Sequence, residues 1–360
     1  MKLNKRLILT KIKLVSEQMK NIRNDKLEEK CKIGIIDINN WEWAQGVGIY
    51  GMYRYYEETE DASVLEWITN WIDRNLEKGL PERNINTTAP LYTVAHTGER
   101  LNSKCYMELC KDWADWIMND LPKTKYNGFQ HVVSDGPNYM QLWDDTLFMT
   151  VLFLAKMGVV QQNKKYIEEC EHQFLLHALY LQERKTGLWY HGWTFDGNHN
   201  FANALWGRGN CWITAFIPDY IEMTGVEGSF RLIMTNILNA QAEALERLQH
   251  ESGLWHTLLD DPDSYTEVSA TAGFAYGILK SIRLGILHKK YMTTAIKAAE
   301  AVVKNINDDG LVLNVSYGTG MGKTLQGYKD VPLCPMAYGQ AMVIMMLSEL
   351  LKHSGKGRTS

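Results

Sequence analysis

Two adjacent carboxylates open an otherwise apolar stretch at Gln141-Leu142-Trp143-Asp144-Asp145-Thr146-Leu147-Phe148-Met149. A carboxyl group among apolar side chains suits general acid–base work, because partial burial lifts its pKa toward the working range. Asp is also a favoured helix cap, but a single cap needs only one. Successive residues on a helix point about 100° apart, so one of the pair would face a pocket and the other would not. Both Asp144-Phe148-Val151 and Asp145-Met149-Leu152 continue as apolar stripes, so helical register leaves the choice open.

A second constellation is Trp206-Gly207-Arg208-Gly209-Asn210-Cys211-Trp212. Glycines on both sides of an arginine let the backbone approach a ligand while the guanidinium forks a carboxylate. The structural alternative is an arginine paired with a buried acid. A third set lies in loop sequences: His131, His191, and Trp41-Glu42-Trp43. A lone histidine is more often a satisfied structural group than a catalytic one. Glu267, in Tyr265-Thr266-Glu267-Val268-Ser269, is a further acid at the start of an apolar run, where capping is its simplest role. There is no H-E-x-x-H, paired-cysteine or EF-hand spacing, so neither a metal nor another cofactor is expected.

The elements that must position these residues repeat along the chain. Gly187, Gly253 and Gly310 each follow a long helical pattern and precede an apolar pair or triplet, Leu-Trp, Leu-Trp and Leu-Val-Leu. They read as helix stops in which glycine takes the left-handed conformation. Apolar helices rich in small residues then open near 44–48, 88–90, 144–146, 209–212, 269–272 and 336–339. Amphipathic helices with charged faces alternate with them, near 5–22, 61–77, 103–119, 164–183, 228–248 and 291–306. Helices apolar all round are buried and those with a charged face border solvent. The alternation therefore predicts an all-α fold, an inner ring of helices wrapped by an outer ring, an (α/α)6 barrel closing as one domain over 1–353. Residues 354–360 read as a loose tail. A helical solenoid is the other arrangement of such hairpins, but its repeats would be more uniform in length. In a closed toroid all inner helices run the same way. The loops carrying Trp, His and Gly then gather at one mouth, where helix N-termini favour an anion.

Composition bounds the rest. A net charge of −4 over 360 residues gives no basic field for nucleic acid. The Leu7-Ile8-Leu9 run after a basic start is too short for a secretion signal, and no 18-residue apolar stretch predicts a membrane span. Cys31, Cys105, Cys110, Cys170, Cys211 and Cys334 are scattered, as expected of reduced thiols in a cytoplasmic protein. Twelve Trp and eighteen Tyr against nine Phe favour rings with a polar handle, which stack on sugars as readily as they pack a core.

Trp143-Asp144-Asp145-Thr146-Leu147-Phe148-Met149, the W-G-R-G-N-x-W string at Trp206–Trp212, and Glu267-Val268-Ser269-Ala270-Thr271-Ala272 together resemble glycoside hydrolase family 105. The likeness runs from about Trp41 to Leu350, with the motifs in order. That family contains the unsaturated rhamnogalacturonyl hydrolases and is related to the family 88 unsaturated glucuronyl hydrolases. The resemblance implies an (α/α)6 barrel and an oligosaccharide substrate ending in a 4,5-unsaturated uronic acid. It also implies hydration of the C4=C5 double bond, in which an Asp protonates C4, water adds at C5, and the resulting hemiketal opens. Such a reaction needs one acid/base group rather than a flanking carboxylate pair. Carried onto this chain, the family's W-x-D motif makes Asp145 catalytic with Trp143 beside it. Arg208 and Trp212 hold the uronate, His131 and His191 flank the unsaturated ring, and Asn86 makes a further contact. Trp41, Glu42, Trp206 and Asp144 complete the substrate-binding set. Asp144 stands where the family usually has an apolar residue, and a second acid there would raise the pKa of its neighbour. The alternatives are a glucuronyl hydrolase acting on glycosaminoglycan-type disaccharides and a sugar epimerase on the same barrel.

Overall fold

The computed structural model describes residues 3–23 and 36–354. Cys31 and residues 355–360 of the expected tail lie outside the described residues, while Ser354 ends the last helix. In chain order the long helices are α1 (Lys5–Met19), α2 (Trp43–Thr59), α3 (Ala62–Lys78), α4 (Ile85–Leu101) and α5 (Lys104–Asn119). A π turn, Leu147–Val151, runs into α6 (Leu152–Val160), followed by α7 (Lys164–Leu181), α8 (Gly207–Thr224), α9 (Gly228–Leu248), α10 (Val268–Arg283) and α11 (Met292–Lys304). A short α12 (Leu325–Lys329) precedes α13 (Ala337–Ser354).

Burial sorts them into two rings. In α3 the buried positions are Val64, Ile68, Trp71, Ile72 and Asn75, a single stripe at helical spacing. In α8 every residue from Gly207 to Ile221 is buried. Inner helices α2, α4, α6, α8, α10 and α13 each pack on the next, and α13 packs back on α2, which closes the toroid. The (α/α)6 expectation is met, with element starts within a few residues of those read from periodicity.

The repeated glycines do something other than stop helices. Outer helices α7, α9 and α11 end at Leu181, Leu248 and Lys304, five or six residues before Gly187, Gly253 and Gly310. Those glycines have φ of 80°, 94° and 89° and rest on the next outer helix. An added Cβ would lie 2.6 Å from Ala240 Cβ, 2.6 Å from the Lys297 carbonyl and 2.3 Å from the Leu14 carbonyl, respectively. Two residues on, the backbone N–H of Trp189, Trp255 or Val312 donates to Asn210, Thr271 or Gln340. Each acceptor is the fourth residue of the following inner helix. Asn210 of the W-G-R-G-N string is therefore one of three equivalent loop clips, and the repeat in sequence is a repeat in packing.

Two short antiparallel ribbons sit in the loops ahead of the inner helices. β1 (Gln141–Trp143) pairs with β2 (Gly192–Thr194), and β3 (Trp255–His256) pairs with β4 (Thr266–Glu267). Toward the opposite end, buried charge links the inner ring. Asp219 of α8 takes hydrogen bonds from Tyr50 at 3.1 Å, Tyr276 at 2.6 Å and Lys280 at 2.5 Å, so its charge is satisfied despite full burial.

Candidate active site

The β1–β2 ribbon assembles the acid. Trp143 pairs with Gly192, and the Asp144 N–H donates to the His191 carbonyl at 3.0 Å, so the strands bring Asp145 beside His191. His191 Nε2 lies 3.2 Å from Asp145 Oδ2, and its Nδ1 lies 2.7 Å from the Tyr328 hydroxyl. His131 stacks on Trp143 at 4.2 Å between centroids and contacts Thr146 Oγ1 through Nδ1 at 2.8 Å. The π turn directly after Asp145 lies at the site itself, a place where such bulges are often found.

Asp145, Trp143 and His131 face a cavity of about 250 Å³ at the inner-helix N-termini, while His191 is buried behind its lining. Trp43, Trp143 and Trp206 supply aromatic wall; Asn86, His131, Asn138 and Thr319 supply polar groups; Asp145 and Asp135 supply the acids. Asp135 is exposed, whereas Asp145 is recessed, with 15 % of its side chain accessible. The cavity thus opens at the end that helix polarity predicts.

The two aspartates have opposite environments. Asp144 is wholly buried, and neither carboxylate oxygen has a hydrogen-bond partner of normal geometry among the described residues. Burial, followed by the adjacent Asp145 charge, pushes its pKa well above the carboxylate range. Burial also acts upward on Asp145, but the His191 hydrogen bond, with the Arg208 charge beyond, holds it below the usual value. The upward shift expected at Asp145 from a second acid therefore falls on Asp144 instead, the more deeply buried of the two. Burial lowers His131 to about 3, so the ring beside Trp143 is neutral.

Several candidates stand behind the wall rather than on it. Trp41 stacks on Trp71 at 5.4 Å and donates to the Thr87 carbonyl, a packing role. Glu42 caps α2, accepting from Trp43 N–H and from Ser134, and burial raises its pKa. Trp212 lies farther into α8, edge-on to Trp43 and 5.0 Å from Phe148. Glu267 is the cap of α10 and also accepts from Ser316 N–H.

Arg208 departs furthest from expectation. Its guanidinium is buried between the rings of Trp206 and Tyr338, at 4.6 and 4.8 Å. Its Nη atoms donate to the Ser316 and Tyr317 carbonyls, to Ser316 Oγ and to Thr319 Oγ1. The fork holds a loop, and that loop supplies Thr319, Gly320 and Met321 to the cavity. No motif pointed to this strap or to Tyr328; for the strap, the glycine-dense run Gly318-Thr319-Gly320-Met321-Gly322 is the signal that the sequence carries. Val133, Asp135, Gly136, Asn138 and Met149 are further wall residues that no motif marked as candidates, whereas Trp43, named with Trp41 and Glu42, does stand on the wall.

Donor atoms of Asp144, Asp145 and His191 gather within 4.8 Å of one another, the grouping nearest to a metal-ligand set among the described residues. The contact inside it is the His191–Asp145 hydrogen bond. Ligands about 2.1 Å from a tetrahedral zinc would sit roughly 3.4 Å apart, a tighter set.

Comparison with known proteins places this site in a class. The Glycosyl Hydrolase Family 88 profile matches residues 13–354. The unsaturated rhamnogalacturonyl hydrolase YesR of Bacillus subtilis (strain 168) is 35% identical over 315 residues, covering 87% of this chain and 90% of that one. An unsaturated 3S-rhamnoglycuronyl hydrolase of Alteromonas sp. (strain LOR) is 28% identical over 324 residues, 86% of this chain and 77% of the relative. The crystal structure of a possible member of the GH105 family from Salmonella enterica serovar Paratyphi A superposes with a TM-score of 0.94 at 43% identity, covering 98% and 95% of the two chains. A helical toroid with a recessed acid in an aromatic cavity, and these relatives, define a glycoside hydrolase. The chain belongs to Glycosyl Hydrolase Family 88, and the likeness to family 105 drawn from its W-x-D and W-G-R-G-N-x-W strings holds.

Proposed function

We propose that this enzyme releases the terminal 4,5-unsaturated galacturonic acid from rhamnogalacturonan or pectin oligosaccharides by hydrating its C4=C5 bond. The observation that carries the reading is that the cavity wall offers one recessed carboxylate, Asp145, while the adjacent acid is sealed behind it. Ordinary glycosidases need two acids flanking the bond. Hydration needs one: Asp145 passes its proton to C4, and the cation at C5 shares its charge with the ring oxygen. Water adds at C5, the carboxylate takes up the water's proton, and the hemiketal opens to free the remaining sugar. A bound uronate, itself anionic, raises the pKa of Asp145 and expels water, which offsets the pull of His191. The rings of Trp43, Trp143 and Trp206 pack the sugar, and Asn86 and His131 contact it. Arg208 serves the carboxylate through the strap it anchors. The toroid acts as one catalytic domain. Buried thiols such as Cys110, Cys170 and Cys211 suit work in the cytoplasm on small imported oligosaccharides.

The test is a panel of lyase-generated disaccharides followed through the ultraviolet absorbance of the conjugated double bond. Unsaturated galacturonyl-rhamnose should lose that absorbance as free sugar appears. Faster turnover of a glycosaminoglycan-type disaccharide would move the assignment to glucuronyl hydrolysis. No loss on any member would remove hydration from the account.

A further inference from the structure

His191 is buried, with Trp206 4.3 Å and Trp143 5.1 Å from its ring centroid and a polar partner at each nitrogen. The partner on Nδ1 is Tyr328, on short helix α12, which completes a small buried cluster with Ala204, Trp206 and Leu258. The Tyr328 oxygen accepts from Gly322 N–H at 3.2 Å. Its own proton then has two acceptors in reach, His191 Nδ1 at 2.7 Å and Met321 Sδ at 3.7 Å. An imidazole nitrogen is much the better acceptor, so the phenol donates to Nδ1. The ring proton of a neutral His191 must then be on Nε2, facing Asp145.

We propose that Tyr328 is a positioning residue: its hydroxyl fixes His191 as the Nε2–H tautomer, so that His191 holds Asp145 Oδ2 and the catalytic proton is carried on the other carboxyl oxygen. The proposal rests on the reading of Asp145 as the acid. One extra proton on a His–Asp pair can sit on either partner. An imidazolium would direct an Nδ1–H at the hydroxyl and force its proton round to the poorer acceptor, Met321 Sδ. The extra proton therefore stays on Asp145, where the substrate can take it. Other titratable or charged groups around the pair are Asp144 beside Asp145, His131 across Trp143, and Arg208 in α8. Because Gly322 closes the chain of bonds, the same hydroxyl ties the glycine-rich strap over the cavity to the acid.

Tyr328→Phe keeps the ring in its cluster and removes the hydroxyl. On the acidic plateau kcat should fall roughly tenfold, about one hydrogen bond's worth, with KM within about twofold. The loss should shrink toward high pH, and the alkaline limb should move upward by up to about one pH unit, because the pair now lodges its extra proton on His191. Leu258→Ala loosens the same cluster without touching the hydroxyl; it should lower Tm and leave the shape of the profile unchanged. A Tyr328→Phe loss equal at every pH, or reproduced by Leu258→Ala, overturns the proposal. Nitrogen NMR of histidine-labelled enzyme, with His191→Gln to assign the resonance, reads the tautomer without any substrate. Nε2–H in the parent and Nδ1–H emerging in Tyr328→Phe are expected, and Nδ1–H in the parent overturns the proposal. Nε2–H in an enzyme that turns over no unsaturated uronide would support the tautomer and sink the reaction assigned to Asp145.

Discussion

The Asp144 carboxylate sits against the backbone of Gly209, so closely that a Cβ built on Gly209 would come 2.2 Å from Oδ2 and 2.8 Å from Cγ. The second glycine of W-G-R-G thus makes room for an acid of this chain, and the start of the π turn is keyed to the first turn of α8. Gly209→Ala should destabilise the fold by about 1–3 kcal/mol, the usual range for overpacking, since a short buried side chain has nowhere to move. Adding Asp144→Ala should recover part of that loss. Strict additivity in a double-mutant cycle of denaturation midpoints would mean that the two residues do not touch.

Asp145→Asn should lower kcat by at least about 10²-fold with KM and Tm nearly unchanged, because an amide has no proton to deliver. Asp144→Asn should retain far more activity. If its acid is neutral in the folded protein, the amide is close to isosteric and Tm should barely move. A capping role alone would instead cost both variants about 0.5–2 kcal/mol with near-normal rates. Measuring kcat and Tm on the pair separates the accounts, and a dead Asp144→Asn beside an active Asp145→Asn would shift the assignment by one residue.

Arg208→Lys should raise KM and lower Tm together. An ammonium cannot span the Ser316, Tyr317 and Thr319 acceptors that the guanidinium fork reaches, and losing charge-assisted bonds of this kind costs about 1.5–3 kcal/mol. A raised KM at unchanged Tm would indicate that Arg208 touches the substrate itself.

Histidines held neutral by burial, His96, His131 and His177, make stability acid-sensitive. Burial lowers His131 to about 3 and His177 to about 4, from an ordinary value of 6.5. Between those limits the unfolded chain binds protons that the folded one does not, so stability contributed by the neutral rings is full above pH 6.5 and is lost as pH falls. From pH 7 to pH 5 each ring accounts for about 2 kcal/mol. Asp144, raised by burial, works in the opposite sense over the same range. His177→Gln should therefore remove about 2 kcal/mol from the difference between urea-derived stabilities at the two pH values. An unchanged difference would mean that His177 is protonated in the folded protein.

Activity should survive a strong chelator, since the Asp144–Asp145–His191 group is held by a His–Asp hydrogen bond and is more widely spread than a zinc ligand set. Loss on chelation, restored by one divalent ion, would convert that cluster into a ligand set.

Much of this was legible in the residues. Apolar periodicity is local, so the alternation of wholly apolar and one-faced helices determined the two rings. Helix polarity then determined at which end the loops gather around the cavity. The W-x-D string determined that an acid stands at the start of the third inner helix. Side-chain direction was not legible, because it depends on partners distant in sequence. Asp144 and Asp145 are equivalent in register until β2 brings His191 to one and α8 brings Gly209 to the other. Arg208 looked like a ligand clamp because glycines flank it, but its acceptors are carbonyls more than a hundred residues away. The glycine-dense run before Tyr328 marked the strap, but nothing local tied Tyr328 to His191. Sequence alone determined the scaffold and the kind of chemistry at its mouth; tertiary structure decided which oxygen meets the cavity, since burial and hydrogen bonding exist only once the ring has closed.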